Sequence, residues 1–348
     1  MKWLFLGLFA AVLSGGATAG AQAPAPGWPS PILPASQAPA PPSRHIARLV
    51  GDYGAPEDML VIYERDGWLF AARGEDKAIV LNPSADGAYG GTIGWLVFEG
   101  HTGPAPAVVL DGRRLPRRDI GAETEAKIRA GVHADAARLR AAALAASPPV
   151  ETNRPRPPDL AQLSGVDPGI RFDIRYATAN NFMGIPLYER PGAWLQRPAA
   201  EALGRVQRAL RARGYGLLVH DGYRPWFVTK MFWDATPPEG RVFVADPAQA
   251  SRHNRGCAVD LTLYDLATGE AVEMPSRYDE FSRRSYADYP GGTSRQRWLR
   301  DLLRREMETE GFSVYPEEWW HFDCKDWAQY PIGNVTFTQL SAQAGSAH

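Results

Sequence analysis

The chain has 348 residues, 45% hydrophobic and 22% charged, with 38 basic side chains against 39 acidic ones and a net charge of −1. That length is ample for a packed core and suggests two domains, while the near-zero charge excludes the broad basic footprint with which proteins grip nucleic acid. Two cysteines are too few for a disulfide scaffold or a four-cysteine metal knuckle.

In chain order, residues 1–21 read as a secretory signal. Lys2 supplies the positive start, residues 3–13 are apolar, and Ala17-Thr18-Ala19 or Ala19-Gly20-Ala21 offers a small-residue cleavage site. The apolar run is too short to span a bilayer, so no stable membrane insertion is expected once it is removed. No cysteine lies near the cleavage point to take a lipid. A periplasmic or secreted location follows. Residues 22–43 are a Pro/Ala-rich linker with the composition of extended polyproline chain.

Residues 44–146 read as a β-rich accessory module ending in a helix. Alternating stretches at 59–63, 68–72, 79–81 and 95–98 are punctuated by Asp66-Gly67, Asp86-Gly87 and Asp111-Gly112. Asp-Gly between apolar runs is a strong hairpin signal, because both residues tolerate the positive φ that the favoured turn requires. Residues 48–71 (RLVGDYGAPEDMLVIYERDGWLFA) bear a weak resemblance to the small lipocalin-like barrels appended to some bacterial hydrolases, which makes the module barrel-like. The Ala/Arg-rich stretch 122–146 predicts a helix. His101 and His133 have no partners at metal-binding spacing and read as surface residues. The run SPPVETNRPRPPD, 147–159, is a linker.

From residue 160 the texture is α+β. Leu195, Ala199, Leu203, Val206 and Leu210 predict a helix over 195–213, stopped by Gly214. A strand over 215–220 runs into Asp-Gly-Tyr-Arg-Pro. Trp298, Leu299, Leu302, Leu303 and Met307 mark a second helix, from Ser294 to near Gly311. Strands are expected at 258–264 and 319–322.

Two histidines keep informative company: His253 in SRHNRGCAVD and His321 in EWWH. Two imidazoles plus one carboxylate, with a position left for water, is a recurrent catalytic zinc set, and Asp260 is the nearby carboxylate. Gly256 permits the close turn between His253 and Asp260. Glu318, three residues before His321, can serve as a base toward a metal-activated water. On a regular strand, positions three apart face opposite ways, so this role requires a bend near Trp319. The two tryptophans at 319 and 320 read as packing around the ligand segment.

The stretches FDIRYATANNFMG, VHDGYRPW, SRHNRGCAVDLTLYDLATGE, MPSRYDEFSRRS and EEWWHF, in this order, resemble the D-alanyl-D-alanine dipeptidases. These belong to the zinc D-Ala-D-Ala metallopeptidase group, with a LAS/hedgehog-like fold. The likeness spans residues 167–330 and implies a zinc dipeptidase domain over 160–340. It implies one Zn2+ per chain on His253, Asp260 and His321, with Glu318 as general base. Arg224 would receive the developing oxyanion, in keeping with a permanently charged guanidinium. Tyr176, Ser251 and Asp279 would line the dipeptide's amino-terminal end, where an ammonium calls for a carboxylate. His220 would be a packing residue. Cys257 and Cys324 each lie three residues from a ligand and read either as a disulfide, which export favours, or as two buried thiols.

The activity implied is hydrolysis of the D-alanyl-D-alanine dipeptide to two D-alanines, in cell-wall peptide turnover or antibiotic resistance. Two alternatives stand beside it: an exported peptidoglycan D,D-carboxypeptidase or endopeptidase of the same zinc group, and a non-catalytic wall-binding protein. The partners implied are a small dipeptide and no nucleic acid. Peptidoglycan contact and oligomeric state are left open.

Overall fold

A computed structural model describes residues 37–74, 77–152 and 155–345. The expected signal segment and most of the Pro/Ala linker lie outside the described residues. Among those described, no helix is long and apolar enough to cross a membrane.

After a short helix α1 (Arg44–Leu49), eight antiparallel strands close a barrel. They are β1 (Gly51–Tyr53), β2 (Leu60–Arg65), β3 (Trp68–Arg73), β4 (Ile79–Pro83), β5 (Tyr89–Gly91), β6 (Gly94–Phe98), β7 (Ala107–Leu110) and β8 (Arg113–Arg118), with β8 returning to β1. Strand alternation sends Leu60, Ile62, Leu69, Ala71, Leu81, Leu96 and Val108 inward to one apolar core. The hairpin signals act where the sequence places them. Asp66 and Gly67 take φ of 52° and 84°, and Asp111 and Gly112 take 47° and 83°, between β2–β3 and β7–β8.

Helix α2 (Ile120–Ala145) follows, capped by Asp119, whose side chain accepts from the Ala122 amide. In sequence it ends the β module. In packing it joins the other half: Ile128, Val132, Leu139 and Ala143 are buried in the second hydrophobic core.

The second half is built on a five-stranded mixed sheet in the order β10-β12-β13-β15-β14. The strands are β10 (Arg171–Phe172), β12 (Tyr215–Asp221), β13 (Ala258–Asp265), β14 (Phe312–Tyr315) and β15 (Glu318–Cys324); a separate ladder pairs β9 (Leu160–Gln162) with β11 (Trp194–Gln196). Helices α3 (Arg197–Arg211), α4 (Trp226–Ala235), α5 (Ser294–Thr309) and α6 (Phe337–Gly345) complete it. Leu195, read above as helical, instead pairs with Ala161 in the ladder, and Pro198 sits in the first turn of α3, where a missing amide costs nothing. The stretch that forms α4, WFVTKMFWDA, is buried on most sides and shows only a narrow polar edge at Lys230 and Asp234, too little to mark a helical period in the sequence. Helix α5 opens with a capping box between Thr293 and Gln296.

Three features of the sheet prepare the site. A register shift between Val219 and Asp221 makes His220 the extra residue on β12, so that Asp221 pairs with Asp260. Asp260 in turn pairs with His321, which lines up Asp221, Asp260 and His321 across three neighbouring strands. On β15 the ladder skips from Phe322, paired with Val314, to Glu318, paired with Tyr315, and this bulge is the bend that Glu318 required. Just beyond the ladder, Cys257 and Cys324 are joined in a disulfide with Cα atoms 5.1 Å apart. A cross-link spanning 67 residues contributes on the order of 4 kcal/mol by restricting the unfolded chain.

Candidate metal centre and active site

His253 stands on a single helical turn, His253–Arg255, ahead of β13. Gly256 closes that turn in the left-handed region at φ 64°, and a Cβ there would lie 2.4 Å from Leu160 Cδ2. The sequence turns tightly here because only glycine combines that dihedral with that approach.

His253, Asp260 and His321 offer ligand atoms that all lie within 4.8 Å of one another. His253 Nε2 is 3.1 Å from His321 Nδ1, and Asp260 Oδ1 is 3.2 Å from each of them. The outward nitrogens are spoken for. His253 Nδ1 donates to the Gly222 carbonyl oxygen at 2.7 Å, and His321 Nε2 donates to Asp323 Oδ1 at 2.9 Å. With those protons placed outward, the inward nitrogens present lone pairs, and Asp260 Oδ1 is buried without a hydrogen-bond partner. Three lone pairs pointed at one another repel unless a cation lies between them. Tetrahedral zinc with bonds of about 2.0–2.1 Å sets its ligands about 3.3 Å apart, close to the triangle seen. The residues therefore fit a metal, and the outward bonds to Gly222 and Asp323 are the orienting contacts such ligands require.

The carboxylates around the triangle favour positive charge within it, whether a proton or a cation. Burial works against it, yet the imidazoles of His253 and His321 hold the Asp260 carboxyl well below the usual carboxylate range. Burial lowers and Asp323 and Asp260 raise the His321 imidazole, which ends at about 10. Burial, offset in part by His321, lifts Glu318 to about 8. Glu318 Oε2 lies 3.6 Å from His321 Nδ1, on the ligand side of the ring.

Arg224 is buried and held by Asp221, which accepts from Nε at 2.9 Å and lies 2.8 Å from Nη2. Nη2 is also 3.4 Å from Asp260 Oδ2. Asp221 is itself fully buried and accepts from Tyr188 Oη at 2.7 Å. Tyr176 donates to Asp279, 2.9 Å from each carboxylate oxygen. Asp279 takes φ 59°, a left-handed geometry that aspartate tolerates better than most residues. Burial, reinforced by the charge of Asp260, keeps its carboxyl well above the ordinary range. Ser251 accepts from the His253 amide at 3.2 Å and so shapes the ligand turn.

Tyr176, Arg224, Ser251, His253, Asp260, Asp279, Glu318 and His321 all line one cavity of about 370 Å3. His220 packs face-on against Tyr278, with ring centroids 4.6 Å apart. Trp319 and Trp320 are buried on the ligand strand itself, Trp319 donating to Ser276 Oγ at 2.8 Å and Trp320 lining the cavity. His101 and His133 are exposed and are not among the residues that could hold the metal.

Sequence reasoning missed three contributors. Tyr278 donates to Asp260 Oδ2 at 3.0 Å and lies 3.1 Å from the Tyr176 hydroxyl. Asp323 orients His321, and Asp221 holds Arg224. A signal existed for two of them: Asp323 is two residues from His321 on one strand face, and Asp221 opens the Asp-Gly-Tyr-Arg-Pro motif. Tyr278 lies in a loop with no periodicity to mark it.

The family model for peptidase M15, D-ala-D-ala dipeptidase, matches residues 157–339, more than half the chain. This chain belongs to that family. It is 37% identical over 187 residues to a D-alanyl-D-alanine dipeptidase of Enterococcus faecium, a match covering 49% of this chain and 92% of the relative. A D-alanyl-D-alanine dipeptidase of Escherichia coli strain K12 is 33% identical over 174 residues, covering 50% of this chain and 89% of the relative. One from Streptomyces coelicolor is 34% identical over 186 residues, at 48% and 92% coverage. The chain is thus a peptidase with a His-Asp-His metal site in its C-terminal half. The barrel lies outside the matched region.

Proposed function

We propose that this protein hydrolyses D-alanyl-D-alanine to two D-alanines with one zinc ion per chain, on a LAS/hedgehog-like catalytic domain, outside the cytoplasm, in the turnover of cell-wall peptides. The observation that carries the reading is the single small cavity in which the lone-pair triangle, the buried Glu318, the buried Arg224 and the buried Asp279 all meet. The export signal read from residues 1–21 supports the location.

Zinc on His253 Nε2, Asp260 Oδ1 and His321 Nδ1 would supply Lewis acidity and an acidified water at neutral pH. Glu318, made basic by its burial, takes the proton of the attacking water and delivers a proton to the departing amine. Arg224 remains charged throughout and receives the negative charge that builds on the carbonyl oxygen; Asp221 fixes its plane by gripping the Nε edge. Asp279, a buried carboxylate with Tyr176 as its donor, offers the site for the dipeptide's ammonium. Tyr278 keeps the second oxygen of Asp260 occupied, leaving Oδ1 for the metal.

The test is D-alanine release by the zinc-loaded protein from D-Ala-D-Ala and from its N-acetylated form. Rapid cleavage of the free dipeptide with little of the acylated one is expected. A preference for the acylated substrate would replace the reading with a carboxypeptidase. No cleavage of either, alongside retention on wall polymer, would replace it with a binding protein.

A further inference from the structure

The loop joining β13 to α5 carries Tyr278, which touches the metal ligand Asp260, and Asp279, which faces the cavity. It has little regular structure of its own, a single helical turn at Arg283–Ser285. Besides bonds of its own, such as Ser282 to Glu280 and Arg284 to the Pro275 carbonyl, it is braced by the N-terminal segment at three points. In its middle, Asp119 lies 3.4 Å from Arg277 Nη2, and the neighbouring Gly121 abuts Glu280. Further along, Tyr289 donates to Asp52 of β1 at 2.9 Å. At its end, the Glu64 amide of β2 donates to the Gly292 carbonyl at 3.0 Å, and the Glu64 carboxylate accepts from the Ser294 amide at 2.8 Å. Arg297 of α5 closes the joint by donating to the carbonyls of Gly291, Gly292 and Glu64.

Glu64 and Asp52 are 3% and 9% exposed. Burying carboxylates at a mere tether would be costly, and is tolerable only where each finds partners of fixed geometry. These partners lie on or beside the loop. Gly121 gives the tightest contact: an added Cβ would come 2.2 Å from Glu280 Cγ, and Glu280 directly follows Asp279. Two of the relatives are matched over 92% and 89% of their own lengths, while the family model begins only at residue 157, beyond the barrel and α2.

We infer that the barrel and the start of α2 position the loop that recognises the substrate's amino end, with Gly121, Asp52 and Glu64 as positioning residues acting through Glu280, Tyr289 and Gly292 on Tyr278 and Asp279. The inference rests on the dipeptidase reading above. It makes the N-terminal half part of the specificity apparatus.

Gly121→Ala is the direct test, because alanine favours the helix while its methyl displaces Glu280. Tyr289→Phe releases the second point independently. Each variant is made in the full chain and, for binding, in a Glu318→Gln background. Measured are KM and kcat for D-Ala-D-Ala and its N-acetylated form, calorimetric affinity for the dipeptide, zinc per chain and melting temperature. Expected is a weakening of dipeptide affinity and a rise in KM on the order of 10- to 100-fold, the scale of an ångström-sized misplacement. The change in kcat is smaller, the preference for the free amino end shrinks, and zinc content is unchanged. Unaltered affinity and preference in both variants, in a protein whose wild type cleaves the dipeptide, would overturn the inference. So would losses of kcat, zinc and melting temperature in proportion, which would mark a structural role only. A wild type that leaves the dipeptide intact would instead overturn the dipeptidase reading.

Discussion

The barrel and the catalytic half are built from opposite uses of burial. Inside the barrel are Leu60, Ile62, Leu81, Leu96 and Leu115, and its charges stay out of that core, either in solvent, as in the Arg114–Glu99 pair, or against the catalytic half, as with Asp52 and Glu64. The catalytic half buries Asp221, Arg224, His253, Asp260 and His321 together at one end of its sheet. Each buried charge costs desolvation energy, so each is met: Arg224 by Asp221, His321 by Asp323, Asp221 by Tyr188. Asp260 Oδ1 is left over, and there the unmet demand is the function. An apolar core needs no such matching, which is why the barrel reads as scaffold and the other half as chemistry.

The comparison breaks if the two halves respond alike to losing the metal. Chelation is expected to abolish hydrolysis, with recovery on adding zinc. It should also lower the stability of the catalytic half by about 4 kcal/mol at metal a thousandfold above its dissociation constant. Amide exchange in the barrel core strands β2, β3 and β6 should change little; equal loss of protection in both halves would contradict separate roles for their cores.

A smaller effect is expected for Glu318→Gln, which keeps size and hydrogen bonding but removes the base. The rate constant should fall by about 10²- to 10⁴-fold with one zinc per chain retained, read by metal analysis beside steady-state kinetics. Wild-type turnover in that variant would assign the base elsewhere.

Smallest in its effect on chemistry is Leu96→Ala, at a fully buried position inside the barrel. It should cost about 2–5 kcal/mol of barrel stability in denaturant unfolding, while zinc content holds. Loss of zinc in the folded variant would show the barrel supporting the ligands directly.

The parts legible in the sequence were those carried by short-range chemistry. Asp66-Gly67 and Asp111-Gly112 mark hairpins because positive φ is a property of the residues themselves. His253, Gly256, Asp260, Glu318 and His321 stand in motifs whose spacing limits what they can do. Helix α4 was illegible because a helix buried on most sides has only a narrow edge, Lys230 and Asp234, to reveal its period. Tyr278 was illegible because a loop residue earns its role from what it touches.

By itself, then, the sequence determined which side chains could bind a metal, supply a base and receive an oxyanion, because chemical type is local. The tertiary structure decided that they meet. The bulge at His220 lines up Asp221 with Asp260, and the second bulge turns Glu318 to the side of His321. The contact of Glu64 with Ser294 spans 230 positions of chain. Register and long-range closure depend on hydrogen-bond partners far along the chain, and no local pattern encodes them.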